Sequence, residues 1–228
     1  MSLLDKNKKV LIVSPHPDDE IIGCGGLIAE CKRKNIKVTV LYICTGSTRQ
    51  LVTGSTNSKT RMNEIKNVAK YGNFDFKIIF KNKYFVKLDS IPQKNIIDKL
   101  EDIIEAETPN IVMIPFGNSY NQDHRATFTA CITAMRPTPK NTRHFVNTVM
   151  IYEEPYSWAT NDLFKPNFYL NTEKVENDKV KMMELHTSQN RLSPFPRSKE
   201  NLIARMRIRG SEIGVGSAEA YQLIRGII

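Results

Sequence analysis

The feature that most constrains this chain is the repeated alternation of short apolar runs with helical stretches. Lys9 to Ser14 (Lys-Val-Leu-Ile-Val-Ser) is continuously apolar, which suits a strand covered on both sides better than a half-exposed one. Leu27 to Lys34 reads as a helix, and Lys37 to Cys44 (Lys-Val-Thr-Val-Leu-Tyr-Ile-Cys) is a second run rich in β-branched residues. Together they form a strand, helix, strand unit of about 35 residues, the size of a right-handed parallel crossover. The alternation continues with a helix near Asn57 to Tyr71, a strand at Phe76 to Phe80, a helix at Ile91 to Ala106, a strand at Asn110 to Pro115 and a helix from Asp123 to Met135. Such a pattern predicts an α/β fold with a mostly parallel sheet and helices on both faces.

Beyond Met135 the pattern is less regular: a strand at Val146 to Glu153, a helix at Glu173 to His186, then helices at Lys199 to Arg209 and Ser217 to Gly226. A length of 228 residues suffices for one sizeable core, so residues 1–228 are expected to form one domain, with the C-terminal third from about 136 extending it as a pocket wall. Hydrophobic residues at 40% and charged residues at 25% fit a packed globular protein. No stretch approaches the roughly 18 apolar residues of a membrane-spanning helix. Val10 to Val13 is too short for the apolar segment of a secretory signal, so a cytoplasmic location is expected. The four cysteines, Cys24, Cys31, Cys44 and Cys131, form no CxxC pair and read as free buried thiols.

In open parallel sheets, ligands bind beyond the carboxyl ends of the strands. Two of the chain's four histidines fall there, in polar segments that follow apolar runs: His16 within Pro15-His16-Pro17-Asp18-Asp19-Glu20, and His124 within Asn121-Gln122-Asp123-His124. Pro15 and Pro17 stiffen the first segment, since each fixes its own φ and pushes the preceding residue toward extended geometry. His16 and Asp19, three apart in a tight turn, can aim at one point. A catalytic zinc site uses three protein ligands of this kind, and His16, Asp19 and His124 supply them. Asp18 is then placed as the general base for an activated water. Glu20, at the start of the following helix, is favoured there by the helix dipole, and structural and catalytic roles are both open to it. Gly23, Gly25 and Gly26 allow close helix-to-strand contact and match no phosphate-loop pattern.

These segments resemble the PIG-L or LmbE-like (N-acetylglucosaminyl-phosphatidylinositol de-N-acetylase) family. The likeness rests on Pro15 to Glu20 with Ile21 to Gly26, on Thr60-Arg61 with Glu64, on Asn121 to Thr127, on His186-Thr187-Ser188-Gln189, and weakly on Ala218-Glu219-Ala220-Tyr221. It implies a Rossmann-like fold, a zinc-dependent de-N-acetylase acting on an N-acetylated amino sugar or glycoconjugate, metal ligands at His16, Asp19 and His124, and Asp18 as base. Iron(II) or another divalent ion also suits such a ligand set. Members often carry histidine where this chain has Asn121, an amide that donates a hydrogen bond but supplies no proton near neutral pH. The catalytic acid therefore falls to His186, Tyr120 or Asp18. Arg61 is the candidate for gripping substrate, with a simple contact to Glu64 one turn away as the competing explanation. Asp123 is expected to orient a histidine or the loop.

The net charge of +9 favours an anionic sugar, such as a sugar phosphate or nucleotide sugar, as substrate. Arg205, Arg207 and Arg209, a basic stripe, with the +9 charge also suit a non-catalytic nucleic-acid or anionic-surface binder, but no aromatic platform is interleaved with them, so this is the lesser alternative and no nucleic-acid partner is expected. Hydrolysis of a different amide or ester on the same fold is the alternative chemistry. A homo-oligomer is compatible with the sequence.

Overall fold

Each apolar run becomes a strand because both of its faces find cover. The computed structural model describes residues 3–50, 54–139, 141–157 and 162–227. In chain order the elements are β1 (Lys9–Ser14), α1 (Asp19–Arg33), β2 (Lys37–Thr45), β3 (Thr48–Gln50), β4 (Gly54–Thr56), α2 (Ser58–Gly72), β5 (Asp75–Lys81), α3 (Gln93–Glu107), β6 (Ile111–Ile114), α4 (Gln122–Ala134), β7 (Thr148–Tyr152), β8 (Phe168–Asn171), α5 (Glu176–Leu185), α6 (Lys199–Ser211) and β9 (Ala218–Gly226). Single 3-10 turns lie at Leu88–Ser90 and Thr187–Gln189. None of the described helices is long and apolar enough to cross a membrane.

Seven strands form one sheet in the order β5-β2-β1-β6-β7-β9-β8. The run from β5 to β7 is parallel, while β9 lies antiparallel to β7 and β8 antiparallel to β9. The period-2 alternation of a strand divides the core into two layers. Val10, Ile12, Val38 and Val40 face α1, α2, α5 and α6, while Leu11, Val13, Leu41 and Ile43 face α3 and α4. The α/β fold expected from the sequence is therefore observed. From β1 the chain moves outward to β2 and β5, then returns to β6 on the other side, which opens a crevice between β1 and β6 at their carboxyl ends.

Two boundaries differ from the sequence expectation. Helix α1 begins at Asp19 instead of Leu27, because its glycines serve close packing and do not break it. A Cβ added at Gly23 would stand 2.2 Å from the Tyr152 ring, and one at Gly26 would stand 2.5 Å from the Thr172 methyl. The helix is kinked at Cys24 (φ −135°, ψ 15°), which frees backbone groups inside the core. Lys179 Nζ donates to the Ile22 carbonyl at 2.8 Å, and Glu219 accepts from the Gly26 and Leu27 N–H groups at 2.7 and 2.9 Å. The two side chains also bond each other at 2.6 Å, so one buried pair satisfies both sides of the kink.

The second difference is Ser217 to Gly226, expected as a helix and observed as strand β9. Its Ala, Glu, Gln and Leu residues favour helix by only a few tenths of a kcal/mol each. Pairing with β7 on one side and β8 on the other supplies its main chain with two ladders, and that wins. Strands β3, β4 and β8 were not signalled by the sequence pattern, being only three or four residues long.

Candidate metal centre and catalytic cleft

The turn between β1 and α1 delivers His16, Asp18 and Asp19 to the crevice; Asn121, the cap of α4, and His124 in that helix's first turn come from the segment after β6. The turn after β1 is locked from within, since Asp19 Oδ2 accepts the His16 N–H at 3.0 Å. Asp18 precedes α1 with φ 123° and ψ −29°, a conformation that costs a non-glycine residue of order 1–3 kcal/mol. Glu20 holds it there: its Oε2 accepts the Asp18 N–H at 2.8 Å, while its Oε1 accepts from Tyr42 Oη and meets His186 Nε2, both at 2.8 Å. Glu20 is completely buried and does not line the cleft, which gives it a structural role.

His16 Nδ1 and His124 Nε2 lie 3.4 and 3.2 Å from Asp19 Oδ2, and the three donors stand within 4.8 Å of one another. Metal–ligand bonds of 2.0–2.1 Å in a tetrahedron separate the ligands by about 3.3 Å, so the donor set fits a zinc-sized ion. The far nitrogen of each ring is met by a carboxylate: Asp123 Oδ2 at 2.8 Å from His16 Nε2, and Glu154 Oε2 at 2.6 Å from His124 Nδ1. The second contact is off the line of the ring N–H and is ionic in character. Burial by itself would lower both histidine pKa values. The carboxylates Asp123 and Asp19 instead hold His16 well above its ordinary value, and Asp19 and Glu154 bring His124 to about 10. This is a field built for positive charge. Cys44, His16 and Asp123 also converge, but Asp123 is already engaged by His16 and by the N–H groups of Val86 and Leu88, which marks it as the orienting group expected from the sequence.

Asp18 stands beside this set without joining it. Burial raises its carboxyl pKa, Arg197 lowers it, Asp19 raises it and Arg61 lowers it, with a net rise. Arg197 Nη1 donates to Asp18 Oδ2 at 2.7 Å. Arg61 borders the cleft, but its guanidinium is spent on Glu64 at 3.1 Å, on the Pro17 carbonyl and on Asp18 Oδ1 at 3.7 Å. These contacts brace the turn, as the competing explanation through Glu64 has it, while Arg61 stays among the residues that line the cleft. His186, a candidate acid, is fully buried, bonded to Glu20 and not among the residues that line the cleft. Asn121 does line the cleft, and its Oδ1 caps α4 by accepting the Asp123 N–H at 2.9 Å, which leaves its amide nitrogen as a donor.

The cleft has a volume of about 740 Å³. The C-terminal third contributes Glu154, Tyr156, Gln189, Arg191, Phe195 and Arg197 to its wall. Glu154 and Arg197 escaped sequence reasoning. The only available signal was the position of Glu153-Glu154-Pro155 just past an apolar strand. Arg205 and Arg209 are both tied to Glu153, at 2.9 and 2.6 Å, which neutralises much of the basic stripe.

Fold and site together define an α/β enzyme with two histidines and one carboxylate gathered as a candidate metal site at the switch point of its sheet. Residues 11–135 match the GlcNAc-PI de-N-acetylase (PIG-L) family, and the chain belongs to that family. It is 28% identical over 166 residues to the uncharacterized deacetylase YaiS of Escherichia coli, covering 70% of this chain and 81% of that one. It is also 28% identical over 198 residues to the diacetylchitobiose deacetylase of Thermococcus kodakarensis, covering 80% and 70% respectively. Among solved structures, the 4-carboxy-2-hydroxymuconate hydratase GalB of Pseudomonas putida shares the fold, with a TM-score of 0.75 at 17% identity over 97% of this chain and 98% of that one.

Proposed function

We propose that this enzyme hydrolyses the N-acetyl group of an amino sugar or glycoconjugate, with zinc held by His16, Asp19 and His124 and with Asp18 as the proton carrier. The observation that carries the proposal is the convergence of His16, Asp19 and His124, whose donor atoms lie within 4.8 Å of one another, beside a buried carboxylate outside that set. Likeness of fold alone does not choose between hydrolysis and the hydration named for GalB, but family membership and the names of the relatives favour deacetylation.

The ion would supply Lewis acidity to the amide carbonyl and a lowered pKa to water. Asp18 takes the proton of the attacking water and delivers it to the departing nitrogen. Its two arginine partners keep the carboxylate oriented, and burial beside Asp19 keeps its proton affinity high enough for both duties. Asn121 donates its amide N–H to the carbonyl oxygen as negative charge grows there. His186 is buried away from the cleft, Asn121 has no proton to release and Tyr120 stands 60% exposed at the rim, so the proposed mechanism gives the acid's part as well as the base's to Asp18, which lies beside the three donors. The four cysteines are all free and buried, which supports a cytoplasmic location, and the +9 charge supports an anionic sugar.

The test is to load the protein with zinc and follow acetate and free amine by mass spectrometry over a panel of neutral and anionic N-acetylated sugars. Equimolar acetate and amine from at least one member is the expected result. A protein that binds no divalent metal, or that once loaded releases neither product from any member, overturns the proposal.

A further inference from the structure

The mouth of the cleft carries a surface that the chemistry does not use. Of the eleven large apolar side chains left exposed among the described residues, five (Tyr84, Val86, Tyr120, Leu192 and Phe195) stand on three loops around this one opening. Val86, Tyr120 and Phe195 line the cleft, while Tyr84 and Leu192 stand outside it in the same loops. Leu192 is 86% exposed and contributes little to the core. Scattered exposed apolar residues need no explanation, but a cluster on one rim does.

Cations are interleaved with these side chains. The loop after β5 reads Lys81-Asn82-Lys83-Tyr84-Phe85-Val86-Lys87, with no acidic residue, and its three lysines make no ion pair among the described residues. Across the mouth, Arg191 and Arg197 flank Leu192 and Phe195. The first loop is also held under strain. Asn82, Tyr84 and Val86 have φ of 55°, 59° and 59°, which is a true outlier for a β-branched valine. Asp123 accepts the Val86 N–H at 2.7 Å, and Gln122 Nε2 donates to the Val86 carbonyl at 3.0 Å, so the fold fixes this backbone with Val86 partly exposed at the cleft and Tyr84 partly exposed beside Phe80. Strain that persists because its surroundings hold it is a mark of function.

We infer that this rim docks on an anionic lipid surface, with the cleft mouth toward the bilayer. The apolar tips enter the boundary between headgroups and acyl chains, while the lysines meet lipid phosphates. Charge argues against a second copy as the occupant, since self-pairing through this rim would set Lys81, Lys83 and Lys87 against one another. With few apolar anchors and no lipid chain, the attachment is reversible and sensitive to salt.

The experiment is co-sedimentation of the full chain with vesicles of phosphatidylcholine alone or mixed with phosphatidylglycerol. Binding to the mixed vesicles at low salt should be at least about tenfold stronger than to neutral ones and should fall at high salt. Lys83→Glu should weaken it by about fivefold or more, with Leu192→Ser and Tyr84→Ser also reducing it. All three variants should keep wild-type metal content and turnover of a soluble N-acetylated sugar, which separates lost docking from lost folding. Absence of binding, equal binding to both vesicle types, or a change of mass in light scattering on Leu192→Ser would overturn the inference, the last by showing that another copy covers the rim.

Discussion

Asp123 ties His16 to the wall of the cleft: one carboxylate oxygen lies 2.8 Å from His16 Nε2 and 2.7 Å from the Val86 backbone nitrogen, and the other lies 2.8 Å from that of Leu88. The ring edge that would meet a metal, at Nδ1, is thereby aimed from behind. Asp123→Asn should lower divalent-metal affinity about 10–100-fold while leaving the three ligands in place. Calorimetric titration of the metal-free protein with zinc measures this, and unchanged affinity would mean that Asp123 serves the loop alone.

The proposed function gives Asp18 and Asp19 different parts although the two are neighbours in sequence. Asp18→Asn should retain stoichiometric metal and lose about 10²–10⁴-fold in kcat, the range for removing a general acid–base group. Metal analysis and steady-state kinetics on one preparation check both halves. Loss of the metal would place Asp18 among the ligands.

The buried pair Lys179 and Glu219 should behave as a unit. Glu219→Gln or Lys179→Met alone leaves an uncompensated group at the α1 kink and should cost about 3–5 kcal/mol of stability. The double variant should cost less than the sum of the singles. Urea unfolding of all four proteins yields the coupling, and strict additivity would deny the pair its role at the kink.

Glu64 links α2 to the Thr187–Gln189 turn. Burial pushes its carboxyl pKa up, but the Ser188 N–H, the Thr187 and Ser188 hydroxyls and Arg61 outweigh burial and hold it below the ordinary glutamate value. A pKa lowered in the folded state means stability that is present above the unfolded value of about 4.3 and lost as pH falls through the folded one. Glu64→Gln should therefore destabilise by about 1–3 kcal/mol at pH 7, with the gap to wild type closing in acid below about pH 4. Denaturant midpoints at several pH values test the sign; a gap that widens in acid would reverse it.

What could be read in the linear chain was local. The runs at Lys9, Lys37 and Asn110 show their strand character in a few consecutive residues, because a strand buried on both faces must be apolar at nearly every position. His16, Asp18 and Asp19 lie within four residues, so the Pro-rich turn announces its chemistry, and His124 is legible through its polar setting after β6.

Packing decided the rest. Arg197 reaches Asp18 from 179 residues away, and Glu154 meets His124 from a strand end that no motif marks. Ala218–Gly226 is a strand because β7 and β8 leave main-chain groups that it must pair, a demand absent from its own composition. The sequence by itself determined the alternating layers and the turn that brings His16 and Asp19 together, since both follow from periodicity and short-range backbone geometry. The tertiary structure alone determined which side chains orient the ligands and hold Asp18, because a carboxylate or guanidinium carries no record in its neighbours of the distant partner that burial will force it to find.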